Sequence, residues 1–392
     1  MAAKRLVLFG AGMTGRGQVA QLAFESGWDI TLIDRDARLV ELLRQAGQYT
    51  VRLLSSSARE LVVKGCQVLH TSETAAIARA IQQANLVVTS VLEPNLPEVA
   101  TTLAAALATR LNAEDPAPLN VIAAENMEHS SSNLRIYVRE SILPALRPVF
   151  EQTVSFPNSM ISRVVPIADD PLFIITEEYS EWTADRNSLI GEPPDLTGLE
   201  WVSNQTARLQ RKLYIHNTGH VICGFLGWLA GYRYIHEAAQ DPEIMAHIRG
   251  AIAESGNAVS LVHNFPRAEV QAYEEHLLGR LVISALADDL RRVIRHPLRK
   301  LGKEERLVGP LQLCEKYDLP RSELCYGIAA VLVGCKIPYD YMEYDDQSER
   351  IRAALEQTNA VDTLRNLIDF TPTDLSAKLI NESYERVYHA RF

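Results

Sequence analysis

Residues 6–17 have the sequence Leu-Val-Leu-Phe-Gly-Ala-Gly-Met-Thr-Gly-Arg-Gly, in which a glycine-rich turn directly follows a short apolar run. The apolar run is typical of a buried β-strand, and the residues after the turn, up to about Ser26, predict a helix. A second apolar run, Ile30-Thr-Leu-Ile33, follows that helix. The beginning of the chain therefore predicts a β-α-β unit.

The glycines of this turn have the spacing G-x-G-x-x-G, which is informative when it lies between a strand and a helix. Gly10 allows a tight turn, Gly12 lets the backbone approach a pyrophosphate group, and Gly15 lets the helix pack closely against the strand. Gly17 adds further close packing. The N-terminus of the helix supplies N–H donors and a positive dipole, so the turn predicts a dinucleotide-binding site.

A carboxylate marks the end of the second strand. Asp34 lies 24 residues after Gly10, where a carboxylate accepts hydrogen bonds from ribose hydroxyls. The same negative charge repels a 2′-phosphate, which favours NAD as the cofactor. Arg35 directly follows and leaves NADP open as an alternative.

The strand signals continue and then stop. Further apolar runs, Leu86–Val91 and Asn120–Ala124, flank the alanine-rich helical segment Leu96–Ala108, as in a parallel doubly wound sheet. After Gly191-Glu-Pro-Pro194 the chain has long helical periodicities and few strand signals. We therefore predict an α/β chain with a Rossmann-type NAD-binding domain over 1–195 and a mostly α-helical substrate and catalytic domain over 196–392.

Charge and cysteine content narrow the function classes. The 392 residues include 39 Lys and Arg against 49 Asp and Glu, a net charge of −10, which argues against nucleic acid or an anionic membrane as the main partner. Five cysteines without C-x-x-C spacing indicate reduced thiols and a cytoplasmic protein. The N-terminus lacks the apolar stretch of a signal peptide. The histidines form no H-E-x-x-H motif and no i, i+4 histidine pair accompanied by a carboxylate, which disfavours a metalloenzyme. A G-x-S-x-G motif is also absent, which disfavours a serine hydrolase.

One apolar segment, Leu213–Tyr232, has 20 residues without Asp, Glu, Lys or Arg and is long enough to span a membrane. Polar side chains occupy its first half, and these are costly in lipid. The segment therefore predicts a core helix with a functional N-terminal half.

That half carries the pattern Lys212-x4-Asn217-x2-His220. On an α-helix, positions +5 and +8 lie at about 140° and 80° from Lys212, so the three side chains share one sector. A lysine in apolar surroundings is suited to take a hydroxyl proton near neutral pH. Asn217 is placed to stabilise a developing alkoxide, and His220 to orient the hydroxyl. His216 lies off this sector, and we interpret it as structural.

This pattern resembles the catalytic pattern of the polyol-specific long-chain dehydrogenases, and the chain is most similar to their mannitol-1-phosphate 5-dehydrogenase branch. The other similar segments are Phe9–Gly17, Ala124–Met127, Ser180–Trp182 and Arg295–Leu301. The resemblance implies a Rossmann-type domain, a mostly helical second domain and metal-independent NAD(H) chemistry at a sugar alcohol. It implies Lys212 as general acid/base, with Asn126 joining Asn217 in polarising the reacting oxygen.

Two segments depart from the family pattern. Arg280-Leu-Val-Ile-Ser284 stands where relatives have Arg-Phe-x-Asn-Pro, and Ser162-Arg-Val-Val-Pro166 stands where many have Asp-Arg-Ile-x-Pro. Both departures leave the exact polyol open. Besides mannitol 1-phosphate and fructose 6-phosphate, the alternatives are an unphosphorylated hexitol or ketose, or a hexuronate. A non-catalytic NAD(H) sensor is a further alternative, disfavoured by Lys212, Asn217 and His220.

A cluster of cations bears on that choice. Residues 291–300 include five cations in an otherwise acidic chain: Arg291, Arg292, Arg295, Arg299 and Lys300. Arg and Lys are natural binders of a phosphate monoester, although nearby acids such as Asp288 and Asp289 also suit a solvated, ion-paired face. We predict that at least one of Arg295, Arg299 and Lys300 contacts a substrate phosphate. The expected partner is thus a sugar alcohol or sugar phosphate, bound by a monomer or weak dimer.

Overall fold

The computed structural model describes residues 4–55, 58–125, 129–166, 169–338 and 346–391. The chain forms two compact units, Met1–Arg208 and Leu209–Phe392. The sequence predicts a boundary after residue 195, and the first of these compact units ends at Arg208. Leu196 and Leu199 are buried in the core of the first unit and extend it beyond the Pro/Gly stretch.

The first unit is built around a parallel sheet. Its strands are β1 (Arg5–Phe9), β2 (Asp29–Asp34), β3 (Gln48–Leu54), β4 (Arg59–Lys64), β5 (Gln67–His70), β6 (Leu86–Thr89), β7 (Leu119–Ala123), β8 (Val154–Ser155), β9 (Ser159–Ser162), β10 (Phe173–Glu177), β11 (Glu181–Asp185) and β12 (Glu200–Val202). The main sheet has six strands in the order β5-β2-β1-β6-β7-β8. Leu6 and Leu8 of β1 face one apolar core, whereas Val7 and Phe9 face the other, so the sheet is buried on both faces.

Helices cover this sheet, as the sequence predicts. They are α1 (Gln21–Glu25, which continues a π-helical segment Gly15–Ala20), α2 (Ala37–Ala46), α3 (Thr74–Gln83), α4 (Leu96–Leu111), α5 (Ser130–Ser141) and α6 (Arg147–Thr153). The strand order reverses between β1 and β6, so the carboxyl ends of these two strands border a crevice of the kind in which doubly wound sheets bind ligands. The Rossmann-type prediction is confirmed.

Two three-stranded sheets accompany the main one, in the orders β10-β3-β4 and β12-β11-β9. The sequence analysis missed β3, β4 and β5. In β3, buried apolar residues alternate with more exposed ones such as Gln48 and Arg52. This alternating pattern indicates a strand less clearly than the continuous apolar runs of β1 and β7 do.

The second unit is helical, as predicted. Its helices are α7 (Gln205–Arg211, within which the division between the units falls), α8 (Asn217–Ala230), α9 (Ile235–Gln240), α10 (Pro242–His263), α11 (Arg267–Leu281), α12 (Leu290–Ile294), α13 (Pro297–Leu301), α14 (Val308–Lys316), α15 (Ser322–Gly334), α16 (Asp346–Leu355), α17 (Ala360–Ile368) and α18 (Asp374–Arg391). A π-helical turn, Lys212–His216, joins α7 to α8.

Helix α8 approaches α9 and α12 closely because two of its contact positions are glycines. A Cβ atom at Gly227 would lie 2.6 Å from Cβ of Ala238, and one at Gly224 would lie 2.9 Å from Cγ1 of Val293. Among the described residues no helix is both long and apolar enough to cross a membrane. The acidic, tyrosine-rich run 339–349 predicts a solvated loop. Residues 339–345 of this run lie outside the described residues, and Asp346 begins α16.

Candidate active site

The glycine turn after β1 requires glycine at two positions. Gly10 has φ +93°, and a Cβ atom there would lie 2.1 Å from the carbonyl oxygen of Ser90, after β6. A Cβ atom at Gly15 would lie 2.1 Å from the carbonyl oxygen of Gly10. A Cβ atom at Gly12, in contrast, would have no neighbour within 4 Å, so the backbone there is open to an approaching group. Gly17 lies against β10, where a Cβ atom would be 2.9 Å from Cγ2 of Ile174. This geometry fits a pyrophosphate on the turn.

Asp34 lies beside the same turn. Its Oδ2 accepts the N–H of Ala11 at 2.7 Å, and its Oδ1 accepts the N–H of Asp36 at 2.9 Å. Each carboxylate oxygen has a further lone pair, so the group retains capacity for ribose hydroxyls. Arg35, considered for a 2′-phosphate, places Nη1 3.2 Å from Oε2 of Glu98 on α4.

Arg16 holds the glycine turn through hydrogen bonds, a role that the sequence does not predict. Its Nε donates to the carbonyl of Ala11 at 2.6 Å, and its Nη1 donates to the carbonyl of Pro171 at 2.5 Å. The guanidinium also lies 5.2 Å from the ring centre of Tyr49. Burial lowers the pKa of Arg16, which is 1% exposed. A buried guanidinium with backbone acceptors of this kind holds the turn in one conformation.

Glu125 follows β7 and lies at the carboxyl edge of the main sheet. Its carboxylate accepts hydrogen bonds from Oγ1 of Thr89 at 3.0 Å and from the N–H groups of Val91 and Leu92 at 2.9 and 3.0 Å. Burial raises the pKa of Glu125. These bonds tie the end of β7 to the loop after β6. Asn126, which the resemblance assigns to the reacting oxygen, lies outside the described residues.

In the second unit, Lys212 and Asn217 are one π-helical turn apart. The backbone N–H of Asn217 donates to the carbonyl of Lys212, which is the i→i+5 bond of a π-helix, whereas the sequence predicts an ordinary α-helix here. The π-helical turn therefore spans Lys212–His216, and Asn217 is the first residue after it. Lys212 is 7% and Asn217 9% exposed. Single π turns recur at functional sites, because they shift side chains out of the regular α-helical register.

His220 has a partner that the sequence analysis did not assign. Its Nε2 lies 3.0 Å from Oδ2 of Asp288, and Asp288 also binds Arg292. Burial opposes ionisation of Asp288, but the hydrogen bond from His220 and the Arg292 charge lower the pKa of its carboxyl group to about 2. In the sequence, the pattern Asp-Asp-x-x-Arg at 288–292 suits a solvated, ion-paired face and does not by itself indicate a partner for His220.

His216 is buried and neutral. Arg280 places Nη1 3.1 Å from its Nδ1. Burial and then the Arg280 charge hold the pKa of His216 well below its usual range. Its ring centre lies 6.0 Å from that of His220. The interpretation of His216 as structural stays a prediction, and its contact with the His220 ring places it next to the candidate site.

The predicted phosphate ligands differ in their surroundings. Lys300 is 5% exposed, and its ammonium group donates to the carbonyls of Val293, at 2.6 Å, and Arg295. Burial, followed by the charges of neighbouring arginines, holds the pKa of Lys300 well below its usual range. The arginines that act on it are Arg306, Arg299, Arg295 and Arg292. Lys300 therefore secures the α12–α13 connection, and the phosphate contact of Arg295, Arg299 or Lys300 stays a prediction.

Arg306 is a further cation that the sequence analysis missed. Its carbonyl accepts the hydroxyl of Thr218, the residue after Asn217. Its charge also acts on both His216 and Lys300. The candidate catalytic helix and the arginine cluster therefore lie close together in the second unit.

Comparison with known proteins places the chain. Residues 4–198 match the mannitol dehydrogenase Rossmann domain, and residues 207–383 match the mannitol dehydrogenase C-terminal domain. A mannitol-1-phosphate 5-dehydrogenase of Brevibacillus brevis is 35% identical over 383 residues, which cover 97% of each chain.

Solved structures show the same fold. A mannitol 2-dehydrogenase of Pseudomonas fluorescens, solved as a ternary complex with NAD and D-mannitol, has a TM-score of 0.75 at 18% identity, covering 99% of this chain and 92% of that one. A D-sorbitol dehydrogenase in substrate-free form has a TM-score of 0.78 at 18% identity, covering 98% and 92%. The family matches confirm the predicted NAD-dependent dehydrogenase class. With both domains matched in order and a relative similar over nearly its full length, the chain belongs to the mannitol dehydrogenase family.

Proposed function

We propose that this enzyme interconverts D-mannitol 1-phosphate and D-fructose 6-phosphate with NAD(H). The observation that carries the proposal is the shared location of the Lys212–Asn217–His220 run and the arginine cluster. Arg292 links the two, because it binds Asp288, the partner of His220, and also acts on buried Lys300. The 35% identical mannitol-1-phosphate 5-dehydrogenase supports the same substrate.

NAD, which the Gly10–Gly15 turn and Asp34 would hold, would supply the hydride acceptor for oxidation of the carbinol carbon. Lys212 accepts the hydroxyl proton in that direction, and its ammonium form returns a proton to the carbonyl oxygen in the reverse direction. Asn217 donates its amide N–H to the oxygen as negative charge develops there. His220 orients the same hydroxyl. Because Lys212 and Asn217 are nearly buried, their interactions with the oxygen are weakly screened by water.

We assign the phosphate to Arg295 and Arg299 in preference to Lys300, because Lys300 is only 5% exposed and directs two of its three N–H donors to backbone carbonyls. Arg299 is exposed, and Arg295 is half-buried with Nε 3.4 Å from the Arg292 carbonyl. A guanidinium offers two parallel N–H donors to a phosphate. With a net contribution of about 1.5–3 kcal/mol for each arginine, the two together correspond to about 10²–10⁴-fold in kcat/KM.

The test is an NADH-oxidation assay with fructose 6-phosphate, fructose and keto-hexuronates as substrates. We expect fructose 6-phosphate to exceed fructose by about 10²–10⁴-fold in kcat/KM. Arg295→Gln and Arg299→Gln should each raise KM for fructose 6-phosphate and leave turnover of fructose unchanged.

Arg291→Gln is the matched control, because Arg291 belongs to the same run but places Nη2 2.6 Å from Oδ2 of Asp289. Equal efficiency with fructose would refute the phosphate assignment and favour a free hexitol. Preference for a hexuronate would assign the enzyme to the reductases of those acids. Absence of turnover with every ketose would reject the catalytic proposal.

A further inference from the structure

Three side chains of the second unit form a hydrogen-bonded row that ends at the candidate active site. His220 lies on α8, Asp288 precedes α12, and Arg292 lies on α12. Nε2 of His220 is 3.0 Å from Oδ2 of Asp288. Arg292 donates from Nε to Oδ1 and from Nη2 to Oδ2 of Asp288, each at 2.8 Å. The carboxylate therefore receives hydrogen bonds from both sides.

We propose that Asp288, anchored by Arg292, is a positioning residue that sets the tautomer and orientation of His220 for the substrate hydroxyl. The proposal rests on the function proposed above. It assigns Asp288 no contact with the reacting atoms, because the carboxylate acts through the imidazole ring.

The backbone around Asp288 is held as firmly as its side chain. The carbonyl of Asp288 accepts the N–H of Ile235 at 2.9 Å, and the N–H of Leu290 donates to the carbonyl of Arg233 at 3.0 Å. Asp289 begins α12 by accepting the N–H of Arg291 at 2.9 Å. Since both the chain and the carboxylate are fixed, the ring that Asp288 binds has one preferred orientation.

The carboxylate is the charged partner in this row. Asp288 is 9% exposed, and its pKa of about 2 keeps it ionised at every pH at which the enzyme is assayed. An ionised carboxylate only accepts hydrogen bonds. Nε2 of His220 must therefore carry a hydrogen, which leaves Nδ1 for the substrate. No other hydrogen bond of the His220 ring occurs within the described residues.

The role of Arg292 differs from that of its neighbours in the arginine cluster. Two of its nitrogens are engaged by Asp288, in the bidentate geometry typical of Arg–carboxylate pairs. A buried carboxylate beside a single histidine is costly, and a guanidinium offsets this cost. Arg292 thus stabilises the anion on which the orientation of His220 depends. The charged groups that act on His216, whose ring lies 6.0 Å from that of His220, are Arg280, Lys212 and Arg306.

Adjacent residues supply a matched control. Asp289 and Arg291 form a second Asp–Arg pair, with Nη2 of Arg291 2.6 Å from Oδ2 of Asp289. Within the described residues, the hydrogen bond of the His220 ring goes to Asp288 and not to Asp289. Asp289→Asn keeps an N-cap acceptor at the start of α12. It removes one carboxylate charge next to Asp288 and leaves the His220 row intact.

The experiment compares Asp288→Asn, Arg292→Gln and Asp289→Asn, each alone and in a His220→Gln background, by ketose reduction. Asp288→Asn should lower kcat for fructose 6-phosphate about 10- to 100-fold, with little change in NADH affinity, a magnitude typical of groups that orient a ligand or base. In the His220→Gln background the same substitution should have almost no further effect, since residues that act as a unit are not additive. Asp289→Asn should leave kcat unchanged.

Long-range ¹H–¹⁵N NMR of histidine-labelled protein reads the ring directly, without substrate, with the His220 signal assigned by its loss in His220→Gln. Wild type should show the Nε2–H form. Asp288→Asn should change the ring from the single Nε2–H form to a mixture of tautomers, because an amide offers both a donor and an acceptor. Arg292→Gln should show the same change more weakly, because Asp288 keeps its carboxylate, and Asp289→Asn should leave the Nε2–H form unchanged.

Several outcomes would overturn the inference. They are a Nδ1–H tautomer in wild type, an unchanged Nε2–H form in Asp288→Asn, or a full additional loss from Asp288→Asn in the His220→Gln background. If Asp288→Asn fails to fold, the double variant Asp288→Asn/Arg292→Gln, which removes both charges, replaces the single variant in the additivity test. If wild type reduces no ketose, the proposed function fails, while the NMR arm still tests the Asp288–His220 pairing.

Discussion

Replacement of Lys212 by methionine separates chemistry from binding. The side chain is nearly buried, so an apolar chain of similar length fills the same space. The π turn should persist, because the bond from Asn217 goes to the Lys212 backbone carbonyl and not to its side chain. The loss should therefore be that of a general acid/base, about 10²–10⁴-fold in the chemical step, which corresponds to about 3–5 kcal/mol.

The assay is pre-steady-state hydride transfer in both directions across pH. In wild type, polyol oxidation should rise with pH as the amine loses its proton, and ketose reduction should fall over the same range. Lys212→Met should lose both trends and keep NAD(H) affinity, whereas Asn217→Ala should slow both directions and keep both trends, because an amide does not titrate. Lys316→Met, at an exposed position of α14, is the control. Wild-type hydride transfer in Lys212→Met would show that the lysine is structural and refute the mechanism.

Two further predictions concern the cofactor and acid stability. Asp34→Ala should weaken NADH binding more than NADPH binding, as measured by fluorescence titration, because the carboxylate no longer holds the ribose or repels a 2′-phosphate; Asp29→Ala, exposed at the opposite end of β2, is the control, and an unchanged preference would dismiss Asp34. His216 has a depressed pKa, so below about pH 6.5 the unfolded chain binds a proton at this residue that the folded chain does not. The free energy of unfolding should therefore decrease as the pH is lowered from about 6.5, by up to about 1.4 kcal/mol per pH unit. Urea unfolding at several pH values should show a weaker acid dependence in His216→Gln than in wild type or in His389→Gln, an exposed control, and an identical slope in all three would contradict this assignment.

The features that were predictable have local causes. Gly10 and Gly15 are needed within a few residues of each other, because a Cβ atom at Gly15 would meet the Gly10 carbonyl. Continuous apolar runs predict strands buried on both faces, such as β1 and β7. Lys212, Asn217 and His220 lie within nine residues, so one helical segment carries all three.

The features that were missed depend on distant residues or on small energy differences. The π turn at Lys212 differs from an α-helix by one residue in hydrogen-bond spacing, which helical periodicity does not resolve. Strand β3 pairs with β10, more than a hundred residues later, so its alternating pattern gains meaning only within that sheet.

The candidate site shows the same division. The run from Lys212 to His220 specifies which chemical groups are available, because their spacing along one helix is a property of the chain itself. The partner of His220 lies 68 residues away, and Lys300 donates to carbonyls that only the folded α12–α13 connection presents to it. Which of several similar carboxylates and cations meets a given side chain is set by helix packing, here the close approach of α12 to Gly224, and not by the residue types in the sequence.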